Sequence, residues 1–145
     1  VFSIQYGNEK EKVIYKYDSL TANDRTEEEL RNFIAGEQDA LRGYKPAFAG
    51  VLSFGISGAL VYIINGESVS FVSIAVPFVT YMAFAILYRA RIDKHSVRNP
   101  TLLANPDYIE GYKRIAKSKK NSNALWGSII GSGVGFGVSI LTQND

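Results

Sequence analysis

The sequence predicts a mainly α-helical membrane protein. It is expected to hold a helical hairpin, a third, glycine-rich transmembrane helix, amphipathic helices before the first and third crossings, and a small N-terminal β-hairpin. Three observations carry that expectation. Pro46–Ile64 holds no charge over 19 residues and Val69–Tyr88 none over 20, against the roughly 20 residues an α-helix needs to cross about 30 Å of hydrocarbon. Ala124–Leu141 adds 18 uncharged residues. The charges are gathered elsewhere, so an average of 46% hydrophobic and 21% charged residues conceals a segregation that belongs to membrane chains rather than to a globular core. A soluble fold would have to bury these runs as core helices of a larger assembly, and core helices usually keep a polar face that these lack.

Residues 1–18 read as a β-hairpin. Phe2, Ile4 and Tyr6 alternate with Ser3 and Gln5, then Gly7, Asn8 and Glu9 turn the chain, and Val13, Tyr15 and Tyr17 alternate with Ile14 and Lys16. Two short strands are marginal alone. The hairpin is therefore expected to end a longer β-rich region, to pair with a neighbouring subunit, or to pack on the next helix. The chain opens on Val1 in mid-strand, which points to a truncated or processed product. It has no cysteine, which excludes disulfides, thiolate catalysis and cysteine-ligated metals.

Residues 26–45 form the first amphipathic helix. Thr26 and Glu29 have the spacing of a capping box, and Glu27 and Glu28 suit the positive helix end. Leu30, Phe33, Ile34, Leu41 and Tyr44 make an apolar stripe, with Arg31, Glu37, Gln38 and Arg42 elsewhere. The acidic face favours packing on protein over binding anionic headgroups.

Residues 46–88 form the transmembrane hairpin, turned by Asn65, Gly66, Glu67 and Ser68. Ala49, Ser53 and Ser57 fall four apart on one face, with Gly50 and Gly58 beside them, a spacing that lets helix backbones approach. Pro77 stands in the middle of the second run, where it is expected to kink the helix. Residues 89–123 form a basic loop with short helices, carrying nine Lys or Arg against three acids. Asn99 before Pro100 and Asn105 before Pro106 each place an Asn cap ahead of a first-turn proline. The second of these helices is expected to run to about Lys120, with Tyr108, Ile109, Tyr112, Ile115 and Ala116 on its apolar side. Residues 124–141 form the last crossing. Gly127, Gly131 and Gly135 are four apart, and Gly133 and Gly137 repeat that spacing on an adjacent face, the pattern of a glycine zipper. Trp126 fits an interfacial anchor.

Two clusters in this order resemble a family of Bacteroidota cell-envelope proteins that has no assigned activity. Gly36, Gln38, Asp39, Ala40 and Tyr44 resemble its Gly-x-x-Asp-Ala helix. Asn105, Pro106, Tyr108, Gly111, Tyr112, Ala116, Lys119 and Lys120 resemble the motif that precedes its glycine-rich membrane segment. The resemblance implies a signal peptide and an exported β-rich part. Two crossings place the N-terminal region and the basic loop on one side. Charge asymmetry alone would make that side cytoplasmic, whereas the resemblance implies that it is periplasmic, the reading preferred here. Asp18, Ser19 and Leu20 also resemble the Asp-Ser/Thr-aliphatic signal for O-glycosylation in exported Bacteroidota proteins, with Ser19 as the candidate acceptor.

No residue set points to catalysis, a cofactor or a metal. His95 is the only histidine and sits in a basic loop without partners. Glu37 and Asp39, two apart on a helix, do not face each other and fit capping or ion pairs with Arg31, Arg42 or the loop. The glycines of 127–137 lack the Lys-Ser/Thr end of a phosphate-binding loop. Lys113, Arg114, Lys117, Lys119 and Lys120 abut a crossing without interleaved exposed aromatics, which favours lipid headgroups over nucleic acid. The leading expectation is a non-catalytic membrane subunit of a cell-envelope complex, whose partners are lipids and other subunits or copies of itself. The alternatives are a homo-oligomeric channel or pore and an accessory subunit to an enzyme. Neutral serines and threonines alone line the spans, which weakens an ion or proton transporter.

Overall fold

The computed structural model describes residues 2–5, 7, 11–18, 25–65 and 71–143. Strands β1 (Ser3–Gln5) and β2 (Glu11–Val13) form an antiparallel pair in the register Ser3↔Val13, Ile4↔Lys12 and Gln5↔Glu11. The second strand therefore closes at Val13 instead of continuing to Tyr17. The cause is local: the Phe2 carbonyl accepts from both the Ile14 and Tyr15 amides, at 2.9 and 3.0 Å, which ends the ladder. Beyond it the Tyr15 hydroxyl donates to the Arg25 carbonyl at 2.7 Å. Arg31 pairs with Glu11 at 3.0 Å and lies over the Phe2 ring. Packing toward the next helix, one of the supports expected for the hairpin, is observed.

Helix α1 spans Glu27–Gly43 and opens on the expected capping box: the Thr26 amide donates to Glu29 Oε2 at 2.7 Å and the Glu29 amide to Thr26 Oγ1 at 3.3 Å. Its buried residues are Phe33, Gly36, Asp39 and Ala40, followed by Tyr44 beyond its end. Of the stripe read from the sequence, Phe33 and Tyr44 are buried, Leu30 and Ile34 half-buried and Leu41 exposed, and Gly36, Asp39 and Ala40 complete the buried face.

Helix α2 spans Ala47–Ile64, as the first apolar run requires. The second run is not one kinked helix. Phe71–Ala75 forms a 3-10 turn and α3 covers Val76–Leu87, with Pro77 in its first turn. Proline has no amide hydrogen and its ring collides with the carbonyl four residues earlier, so a helix start tolerates it where a helix middle does not.

The largest difference lies in the basic segment. Instead of a loop followed by a separate crossing, α4 runs unbroken for 38 residues from Pro106 to Gln143. Asn121, Ser122 and Asn123 join the basic half to the apolar half with no proline or glycine between them, and a nucleated helix propagates through such a stretch. The loop proper is left with 3-10 turns at Lys94–Ser96 and Pro100–Ala104. At about 1.5 Å per residue, α4 is roughly 57 Å long, close to twice the hydrocarbon thickness.

That length lets α4 serve two units. Its first half packs on α1 around a core of Ala40, Tyr44, Val97, Tyr108, Tyr112 and Ala116. Its second half packs along α2 in parallel, since Gly127, Gly131 and Gly135 face Gly50, Phe54 and Gly58 in the same order. Lys120 meets the end of α3, so α3 runs the opposite way and α1, the 88–105 loop and the basic half of α4 share one end. Among the described residues, α2 and α4 are long and apolar enough to cross a membrane, and the stretch Phe71–Leu87 is shorter.

Candidate functional site

The segments 36–44 and 105–120 face each other across α1 and α4, with Asp39 and Tyr108 69 positions apart in the chain. A Cβ at Gly36 would overlap the Tyr108 carbonyl oxygen, and one at Gly111 would overlap that of Phe33, so each helix offers a glycine where the other's backbone passes. Asn105 caps α4 as expected, its Oδ1 accepting from the Asp107 and Tyr108 amides at 2.9 and 3.2 Å. This start sets Tyr108, Tyr112 and Ala116 on the face toward α1, all fully buried.

Asp39 is the polar centre of this contact. Its Oδ2 accepts from the Tyr108 hydroxyl at 2.7 Å and from the Arg98 amide at 3.0 Å, tying α1 to α4 and to the loop. Glu37, two residues earlier, points elsewhere and pairs with Arg114 at 3.2 Å. The Tyr112 hydroxyl accepts from the Asp93 amide at 3.2 Å and shares a hydrogen bond with Ser96. Tyr44 packs edge-on against the Tyr112 ring, and its burial pushes its phenol above the ordinary range. His95 is exposed on the Lys94–Ser96 turn, and among the described residues no three His, Asp or Glu side chains converge on one point.

Three of the five basic residues read as headgroup ligands are engaged by protein. Arg114 pairs with Glu37 and lies over the Phe33 ring. Lys119 Nζ donates to the carbonyls of Ala40, Leu41 and Tyr44 at 3.3, 2.6 and 3.3 Å, closing the C-terminal end of α1. Lys120, 1% exposed, donates to Phe84 at 3.1 Å, to Ala85 at 3.5 Å and to Tyr88, closing the end of α3. A helix end presents unpaired carbonyls with partial negative charge, and an ammonium satisfies both features at once. The reading of Lys119 and Lys120 as headgroup ligands is thereby corrected. Lys113 and Lys117 remain exposed, beside Arg89 and Arg91, on a cleft of about 700 Å³.

The small-residue positions divide in the same way. Ala49, Ser53 and Ser57 are buried on the face of α2 toward α4. A Cβ at Gly127 would overlap the Gly50 carbonyl and press on the Ser53 hydroxyl; one at Gly131 would overlap the Phe54 carbonyl; one at Gly135 would overlap that of Gly58. Gly133 and Gly137 face open space, with nothing described within 4 Å of a Cβ. Ser19 lies outside the described residues.

Sequence reasoning missed the two lysine caps and the Asp39–Tyr108 bond. Their signal was present only as co-occurrence of Asp39, Tyr108, Lys119 and Lys120 within the two motifs. No protein-family model, curated protein or solved structure matches this chain.

Proposed function

We propose that this chain is a non-catalytic integral membrane subunit of a cell-envelope complex, crossing the bilayer three times and packing on partner subunits through small-residue helix faces. One observation carries the membrane part. In the apolar helices the usual segregation is inverted: Ser53, Ser57, Ser73, Thr80, Ser128, Ser132 and Ser139 are buried, while Phe48, Val51, Ile63, Phe78, Ile86, Ile130 and Leu141 are exposed. Such a surface is unfavourable in water and suits a hydrocarbon solvent. The buried serines answer to the same solvent. Ser53, Ser57, Ser128 and Ser139 each donate to the carbonyl three residues earlier, at 2.8–3.2 Å, so these four hydroxyls are satisfied without water.

The stretch 71–87 supports a third crossing. Five residues at about 2.0 Å and twelve at about 1.5 Å come to roughly 28 Å, close to the hydrocarbon thickness. Tyr88 at its end and Trp126, 61% exposed near the start of the apolar half of α4, mark a common interfacial level. α1 and the basic half of α4 stand on that side, which we read as periplasmic on the family resemblance.

The complex-subunit part is supported by Gly55, Gly133 and Gly137, which face open space inside apolar helices. A channel built from copies of this chain is disfavoured, because Ser53, Ser57, Ser128 and Ser139 are buried and bond carbonyls of their own helices, and the described spans carry no charged ring to line a lumen. Carbonate extraction of native membranes tests the first part: the chain is expected in the pellet, and its release as a soluble monomer would overturn the crossing. Affinity purification in mild detergent tests the second, with distinct partners expected in fixed stoichiometry. A ring of this chain alone, with unitary currents in planar bilayers, would replace the subunit by a pore.

A further inference from the structure

The cleft at the end of α3 is built for an anion. Arg89 and Arg91 reach it from the loop, Lys113 and Lys117 from α4, and no carboxylate lines it. Among the described residues none of these four cations has an ion pair. Lys120 also borders the cleft, but its donors are spent on the carbonyls of Phe84, Ala85 and Tyr88, so it walls the site without supplying a ligand. Four like charges around a cleft of about 700 Å³ repel one another, and a bound anion relieves that repulsion.

A second feature says which anion. A separate groove of about 350 Å³ runs between α2 and α3, lined by Ile56, Leu60, Val79 and Leu87, and is almost wholly apolar. Tyr88 borders both the groove and the basic cleft, so a cationic pocket and an apolar channel adjoin at one residue. A free phosphate would use the first and leave the second empty. An anionic phospholipid matches both, its headgroup among the four cations and an acyl chain along the groove. We propose that this composite site binds an anionic phospholipid, with Arg89, Arg91, Lys113 and Lys117 as headgroup ligands. The proposal rests on the membrane reading above and replaces Arg114, Lys119 and Lys120 by Arg89 and Arg91 in the headgroup set.

The test uses the full chain in mild detergent, with bound lipid counted by native mass spectrometry during titration with phosphatidylglycerol, phosphatidylcholine or glycerol 3-phosphate. Phosphatidylglycerol is expected to be retained as a single tight adduct and phosphatidylcholine weakly. At about fivefold per cation near an anionic group, Lys113→Gln with Lys117→Gln should weaken phosphatidylglycerol roughly 25-fold, and Arg89→Gln with Arg91→Gln by a similar factor. Two exposed cations outside the cleft, changed as Arg42→Gln with Lys94→Gln, should alter it less than about twofold. Equal retention of both lipids, or equal losses in all three double variants, would overturn a specific site. Glycerol 3-phosphate binding as tightly as the lipid would make it a soluble-anion site and overturn the lipid. Carbonate extraction reads the membrane assignment separately, so failure of one reading does not imitate failure of the other.

Discussion

Lys119 and Lys120 are neighbours on α4, yet they close two different helices: the ammonium of Lys119 lies among the last carbonyls of α1, and that of Lys120 among the last carbonyls of α3. Successive residues on a helix point about 100° apart, so a pair of lysines reaches two flanking elements that no single side chain could join. The pair sits where the two units served by α4 meet, and it couples their positions.

Replacing each lysine by methionine keeps the aliphatic stem and deletes the donors. Lys120→Met strands three part-buried carbonyls around a side chain that is itself buried, and is expected to destabilise the chain by about 1–3 kcal/mol. Lys119→Met should cost less, about 0.5–1.5 kcal/mol, because Leu41 is exposed to water that can replace the ammonium. Thermal unfolding followed by circular dichroism in detergent would rank them, and equal, negligible shifts would deny the caps a structural role.

The glycines of α4 should separate into two classes. Gly131→Leu and Gly135→Leu drive a side chain into the α2 backbone and are expected to lower stability by at least about 1–3 kcal/mol in the isolated chain, while Ile129→Leu is tolerated. Gly133→Leu and Gly137→Leu should leave the isolated chain unchanged and weaken its assembly, read on native gels. Assembly that survives both outward substitutions would move the partner surface elsewhere.

Tyr108→Phe removes the hydroxyl that bonds Asp39, leaving the carboxylate the Arg98 amide among the described residues. A loss of about 1–3 kcal/mol is expected, with a coupling to Asp39→Ala of about 0.5–3 kcal/mol in a double-mutant cycle. Additive losses would show that the contact contributes packing alone.

Acid should loosen the start of α1 first. The Thr26 amide holds the Glu29 carboxyl below its ordinary value of 4.5, and the hydroxyl of Ser3 together with Arg31 does the same for Glu11. A carboxyl held low in the folded chain stabilises it above the unfolded value, and that contribution is lost as pH falls below 4.5 through the folded value. The protection of the Glu29 amide relative to its intrinsic exchange rate is expected to fall through that window, and Glu29→Gln should remove the dependence.

Because the chain lacks cysteine, single substitutions report sidedness directly. Glu28→Cys and Arg91→Cys should react with an impermeant thiol reagent from the same side, and Thr142→Cys only from the other. Labelling of all three from one side would exclude an odd number of crossings.

The amino-acid pattern alone determined the elements whose cause is local. The capping box of Thr26 and Glu29, the Asn105 cap, the uncharged length of α2 and the four-residue spacing of Gly127, Gly131 and Gly135 each state a rule within one turn or one face. Pro77 was legible as a breaker, though not as the start of α3, because its missing amide marks an interruption without saying whether the helix bends there or begins there, and the preceding 3-10 turn decided between them. What only the tertiary structure decided is where each charge is satisfied. Lys113, Lys117, Lys119 and Lys120 form one basic run in the sequence. In the fold two of them are spent on helix ends brought from 32 to 79 positions away, and two are left beside Arg89 and Arg91. A lysine's chemistry is the same in both settings. Which carbonyls or anions lie within its reach depends on helix packing, and no local pattern encodes that.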